Sequence, residues 1–339
     1  MGFRMRKSIR LAPGVRMSVS KSGVGYSVGA KGYRVTKRAR GGVTQTVSLP
    51  GTGLSHSQTI SSGAGTRSSR GVATPQAAAP AKPGLFAPRA EKDLFDIVRR
   101  QNWERLPTLA AAHPDWRPLI AALDGLLALS RDDRPRAREA LEFAFASDID
   151  PATHPFVQRY LPRASIQLAI ASGVTAELPF DRQAIGLALA ELRQDAGDPN
   201  GAIDIVEQLE PTTPAAVSLA ELYMEAGRPG EAITMTNGVA NEDEATALLC
   251  VFRGAALRET GAHGASLEAL KEALRSRKRA AEIRHRALIE RSATYLALGK
   301  PAMARKDLER IQAEDSNYPG LTDALSSLAR PESPPEPRP

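Results

Sequence analysis

The chain has 339 residues, 42% hydrophobic and only 5% aromatic, with 45 Lys and Arg against 38 Asp and Glu and a formal charge of +7. That length allows about two domains with ordinary cores, and scarce aromatics beside plentiful Ala and Leu favour helices packed through small residues over an aromatic-rich sandwich. The single cysteine, Cys250, excludes an intrachain disulfide and a cysteine-built zinc site, which suits a reducing compartment.

Charge is unevenly placed. Residues 1–90 hold 15 of the bases and no acid, and Glu91 is the first carboxylate, which leaves 30 bases against 38 acids in the remainder. A one-signed field of this kind concentrates polyanions or an oppositely charged surface; a merely solubilising head is the alternative. After Arg4, Arg6, Lys7 and Arg10, polar residues interrupt LAPGVRMSVSKSG before a signal-peptide core can form. No stretch approaches the roughly 18 apolar residues of a membrane span, so the expected setting is cytoplasmic, without membrane insertion.

Within residues 1–60, Val15, Met17 and Val19, then Val24, Tyr26 and Val28, then Val43, Val47 and Leu49 follow a period of two. Ser22-Gly23, Ala30-Lys31-Gly32, Arg40-Gly41-Gly42 and Pro50-Gly51-Thr52-Gly53 supply turn residues between them. The expectation is a small all-β antiparallel meander of four or five strands, apolar on one face and small and basic on the other. The run MGFRMRKSIRLAPGVRMSVSKSGVGYSVGAKGYRVT, ending in VSLPGTGLSHS, resembles the bacterial domain-of-unknown-function family 4236 over about residues 1–57. That resemblance implies a β domain often joined to other modules and brings no activity with it.

Residues 61–90, rich in Gly, Ser, Ala and Pro without periodicity, read as a flexible linker spanning on the order of 30 Å. Residues 330–339, RPESPPEPRP, read as a disordered tail. From residue 91 the period becomes helical. Residues 91–180 contain two amphipathic helices flanking Ser130 to Arg134, with breaks at Asp150-Pro151 and His154-Pro155. They are read as a helical cap or divergent repeats, anchored by Trp103 and Trp116.

Over residues 181–329, Gly197, Gly227, Gly261 and Gly299 stand 30, 34 and 38 residues apart, each followed five positions on by Ala202, Ala232, Ser266 or Ala304. The mean of 34 is the period of tetratricopeptide repeats. Gly lets the chain leave one helix in the left-handed conformation, and the small residue lets paired helices approach. The units resemble that family imperfectly: Leu219, Ala220 and Tyr223 match its Leu, small and aromatic positions, but Arg253 and Arg291 occupy the Leu place and Arg193 the aromatic place. The expected fold is therefore the β meander joined to an all-α helical-repeat solenoid.

Catalytic chemistry is not legible. His56, His113, His154, His263 and His285 never stand three to five apart, which excludes an H-x-x-x-H metal helix, and each reads as a surface residue. Gly23, Gly25 and Gly29 miss the dinucleotide spacing. No catalytic, cofactor or metal site is expected, and the chain reads as a non-enzyme.

Two binding surfaces remain. The first is a basic face of Arg4, Arg6, Lys7, Arg10, Arg16, Lys21, Lys31, Arg34, Lys37, Arg38 and Arg40. It suits an acidic protein or, through phosphate contacts, nucleic acid, although only Tyr26 and Tyr33 offer stacking rings. The second is the repeat groove. In the tetratricopeptide register it presents Leu187 and Glu191, Val217 and Glu221, Val251 and Ala255, Ile289 and Ala293. An amphipathic helix or extended peptide with apolar anchors fits that set, unless those residues only pack against the next repeat. The expected function is an adaptor that holds a protein in the groove and a second partner on the tethered module; the alternative is a nucleic-acid-associated regulator.

Overall fold

The computed structural model describes the strand backbone of residues 9–12, 15–20, 23–30, 33–38, 42–48 and 55–60, and residues 82–329. The tail over 330–339, and the linker apart from its last residues, lie outside them. The chain divides into two compact units, Met1–Leu168 with Ala176–Gly197, and Ala169–Thr175 with Asp198–Pro339.

In the first unit, β1 (Ile9–Ala12), β2 (Val15–Ser20), β3 (Gly23–Ala30), β4 (Tyr33–Arg38), β5 (Gly42–Ser48) and β6 (Ser55–Ile60) pair as an antiparallel meander in chain order. The register sets Met17 against Tyr26, Val28 against Val35 and Val43 against Ile60. Next come α1 (Arg89–Arg100), α2 (Leu106–Ala112), α3 (Arg117–Ser130), α4 (Arg134–Ala146) and α5 (Pro155–Tyr160). The buried Glu91 ties α1 to α5, accepting from the Tyr160 hydroxyl at 2.5 Å and from Arg159 Nη1 at 3.1 Å. Trp103 is buried, and Trp116 meets Phe156 edge-on at 5.9 Å.

The helical region is not all-α. β7 (Ser165–Ala171) and β8 (Val174–Pro179) form a two-stranded hairpin, with Ile166, Leu168 and Ile170 buried and Gln167 exposed. Its turn, Ser172-Gly173, places Gly173 at φ 83°, a conformation that glycine adopts without steric cost. The Phe180 N–H closes the base of the hairpin on the Ala164 carbonyl at 2.9 Å. The helical cap or divergent repeats expected over 91–180 are thus interrupted by a hairpin whose alternation, from Ile166 to Ile170, is short and lies between helical segments. The first unit ends with α6 (Arg182–Asp195).

The second unit holds α7 (Pro199–Val206), α8 (Thr213–Glu225), α9 (Pro229–Met235), α10 (Glu244–Glu259), α11 (His263–Ala273), α12 (Ala281–Ala297), α13 (Pro301–Glu314) and α14 (Leu321–Ala329). Its helix pairs follow one rule. A Cβ on Gly254 of α10 would lie 2.5 Å from Leu270 Cγ of α11, so only hydrogen fits there. Twelve residues on, Ser266 is fully buried and donates to the Gly254 carbonyl at 2.7 Å. Ala220 with Ala232, and Ser292 with Ala304, repeat the spacing and the burial.

The same construction appears in the first unit, where a Cβ on Gly125 of α3 would meet Leu141 Cγ of α4 at 2.6 Å and Ala137 is fully buried. Seven residues after the first-helix member of each pair, Gly125, Ala220, Gly254 or Ser292, stands the left-handed residue that ends the helix. It is Gly227 (φ 69°), Gly261 (81°) or Gly299 (68°), and after α3 it is Asp132 (63°). The Asp133 N–H returns to the Ala128 carbonyl at 3.0 Å, as Arg228 returns to Tyr223 at 2.8 Å. These bonds satisfy otherwise orphaned helix-end carbonyls. The α3–α4 pair is thus a repeat of the same kind, concealed because Asp replaces the glycine on which the period was counted.

The last pair is locked by a charged cluster. Arg284 donates twice to Glu314, at 2.6 Å each, and His285 Nε2 stands 3.2 Å from Glu314 Oε2. His285 is buried at 5% exposure, against the surface placement read from sequence, because α12 turns it toward the Tyr318 ring 5.5 Å away. Hydrogen bonding from Arg284, followed by that from His285, outweighs desolvation and holds the Glu314 carboxyl down to about 2.

Two outcomes follow from this architecture. Asp132→Gly raises stability by roughly 0.5–1 kcal/mol by removing left-handed strain, and Gly227→Ala lowers it by a similar amount, both read from urea midpoints; shifts in the opposite directions would refute the turn assignment. The Glu314 contribution is complete above the ordinary carboxylate range and lost as pH falls from about 4.5 to about 2. Thermal melts across that window should show Glu314→Gln less acid-sensitive than the parent chain.

Candidate partner-binding surfaces

The expected groove positions of the second unit lie on α8, α10 and α12, with α10 packed against both others. Val217 and Val251 are completely buried, and Ala255 is 6% exposed. In the first unit Leu187 is likewise buried, at 2%. These positions fill helix packing and are out of a ligand's reach, because a first helix flanked by neighbours has little free face left. Glu191, Glu221, Ile289 and Ala293 keep partial exposure.

Charge supplies what the apolar set does not. Arg286 of α12 donates to Glu221 of α8 at 3.2 Å, and its guanidinium carbon lies 4.5 Å from the ring centre of buried Phe252 on α10. One side chain therefore spans three first helices, combining an ion pair with a cation–π contact. Arg258 of α10 adds a 3.0 Å bond to Glu290 of α12. The sequence reading missed Arg286, although it stands one helical turn before Ile289 and so shares its face.

The arginines that break the repeat pattern are each matched. Arg291 donates twice to Asp307, at 2.7 and 2.6 Å, and Asp307 is only 3% exposed. Arg253 reaches Asn237 Oδ1 at 3.1 Å, and Arg193 reaches Glu142 at 2.8 Å. A polar pair has replaced an apolar contact in each unit.

Of the expected basic face, Arg10, Arg16, Arg34 and Arg38 fall by register in one alternate set of strand positions. Lys37 falls in the opposite set, paired with Tyr26 and Val43. The register thus separates it from the other strand bases. Arg4, Arg6, Lys7, Lys21, Lys31 and Arg40 lie outside the described residues. Among the described residues no group of three or more His, Cys, Asp or Glu stands together as a metal site, and no helix is long and apolar enough to cross a membrane. Burial pushes the Cys250 thiol above its ordinary range.

The Arg291–Asp307 pair makes a sharp prediction. Arg291→Leu leaves the buried Asp307 carboxylate with Arg310 at 3.9 Å as its remaining cation and costs about 3–5 kcal/mol, whereas Arg291→Leu with Asp307→Leu recovers most of that loss. Denaturant titration of the three chains decides it, and equal losses for the single and double variants would contradict the pairing.

Residues 3–57 match the model of a family described as protein of unknown function (DUF4236). No curated protein matches the chain. Among solved structures, the N-terminal domain of the EccA1 ATPase from the ESX-1 secretion system of Mycobacterium tuberculosis is similar with a TM-score of 0.50 at 15% identity, covering 71% of this chain and 87% of its own. The MamA protein is similar over 65% of this chain and 100% of its own, at 15% identity and a TM-score of 0.40. A tetratricopeptide repeat protein from Parabacteroides merdae ATCC 43184 covers 72% of this chain and 100% of its own, at 13% identity and a TM-score of 0.37. The likeness to the EccA1 domain is one of fold, and the helix pairs, their left-handed glycine turns and their mean period of 34 residues make the helical region tetratricopeptide-like.

Proposed function

We propose that the chain is a non-enzymatic cytoplasmic adaptor whose helical repeats bind a protein segment through the face of α8, α10 and α12. The observation that carries this reading is Arg286, bonded to Glu221 and stacked on Phe252 beside the partly exposed Ile289. A peptide offering a carboxylate and an apolar side chain would compete for Arg286 and rest on Ile289. Residues 1–60 act as a separate basic β module, joined through residues 61–90, which holds a second, acidic partner and raises the effective concentration of both.

The test is affinity capture with the tagged full-length chain and with Arg286→Glu/Ile289→Asp. Proteins retained by the parent should be lost from the variant while circular dichroism shows its helices intact and melting falls only by what the lost Glu221 pair and Phe252 contact account for; a variant that keeps every partner would refute the assignment. A nucleic-acid-associated regulator is the second reading, favoured by the shared register of Arg10, Arg16, Arg34 and Arg38. Fluorescence anisotropy of a labelled oligonucleotide should then weaken steeply between 50 and 200 mM salt, and weaken further with Arg16→Glu/Arg34→Glu. Absent or salt-insensitive binding counts against it.

A further inference from the structure

We propose that a basic recess at the C-terminal end of α11 is a docking site for a short acidic peptide, separate from the face of α8, α10 and α12. The recess has a volume of about 400 Å³ and is lined by Lys271, Glu272, Arg275 and Arg277, by Arg291 of α12 and Arg310 of α13, with Leu274 as its apolar member. Five cations line it with one carboxylate. The positive balance persists when the flanking acids are counted: Glu268 is 3.3 Å from Lys271 Nζ, and Asp307 is 2.6 Å from Arg291 Nη2 and 3.9 Å from Arg310 Nη1. Arg277 is exposed and has no ion pair among the described residues. This positive spot stands in a region whose overall charge is negative.

Two features that would repel an anion have been neutralised. The carbonyl end of a helix carries partial negative charge, but here the buried Asn241 donates its Nδ2 to the Glu272 and Ala273 carbonyls, at 2.9 Å each. The lining carboxylate is also engaged: Glu272 Oε1 accepts from the Asn241 N–H at 2.9 Å and lies 3.1 Å from Arg275 Nη2. Arg279 completes the frame with a 2.7 Å bond to Asn241 Oδ1. The cations therefore sit on a fixed backbone, which lowers the entropy lost on binding. Guanidinium forks match carboxylates in geometry, and Leu274 offers contact to an apolar residue between two acids. No aromatic ring lines the recess to stack a base, which favours an acidic peptide over nucleic acid.

The experiment is hydrogen exchange on the full chain with an acetylated, amidated Asp-Glu-Leu-Asp-Glu peptide, alongside its Asn-Gln-Leu-Asn-Gln counterpart. The acidic probe should slow exchange over residues 271–280 and 306–312, and the neutral one should not. Arg277→Glu/Arg310→Glu should weaken that protection at least tenfold in probe concentration, and the milder Arg277→Gln by a few-fold with an unchanged melting curve. The proposal is overturned by protection confined to the basic N-terminal residues, by equal protection from the neutral probe, by undiminished protection in both variants, or by a single-stranded oligonucleotide that protects the same segments at lower concentration.

Discussion

The helical region depends on close approach at one point of each helix pair. Gly125 against Leu141 and Gly254 against Leu270 leave no room for a Cβ, and the buried Ala137 and Ser266 meet the same need from the second helix. Interiors pack like organic crystals, so a contact of this kind sets the distance between two helices and thereby which of their faces remain open. The left-handed turn seven residues later follows from it. A chain that reverses in three or four residues must leave the first helix abruptly, and a residue that tolerates positive φ allows this.

Within that frame the side chains around the crossing have diverged widely. Arg291 with Asp307 stands where the repeat family carries an apolar residue, and Arg253 and Arg193 likewise hold polar partners. A buried ion pair is a poor source of net stability, since desolvation offsets most of the attraction, but it penalises any arrangement that separates the two charges. We read the Arg291–Asp307 pair as fixing that α12 adjoins α13. The result is a set of repeats that share their backbone geometry and differ in what they present.

That divergence bears on recognition. The face of α8, α10 and α12 offers Arg286, Glu221 and Ile289, and the end of α11 offers a cluster of cations, of which Arg275 donates to the Asn241 carbonyl. The proposed recess at the end of α11 is positive although the region as a whole is acidic, because charge is placed locally, whereas Arg286 on the other face is balanced by Glu221. Net charge reports on long-range steering; it does not reveal which pocket an acidic ligand enters.

The sequence by itself determined the helix pairs, their period, and the glycines that turn them, since these depend on local conformational preference and on spacings within about 40 residues. It also carried the α3–α4 hairpin, the alternation of β7 and β8 and the turn residue Asp132, but a short hairpin among helices and an Asp in the left-handed turn both depart from the helical period and its glycines. Tertiary structure alone decided that Leu187, Val217 and Val251 are buried, that His285 is enclosed, and that Arg286 reaches Glu221 from 65 residues away. Exposure and long-range pairing depend on which helices adjoin, and that is set by packing across the repeats, which no local pattern records.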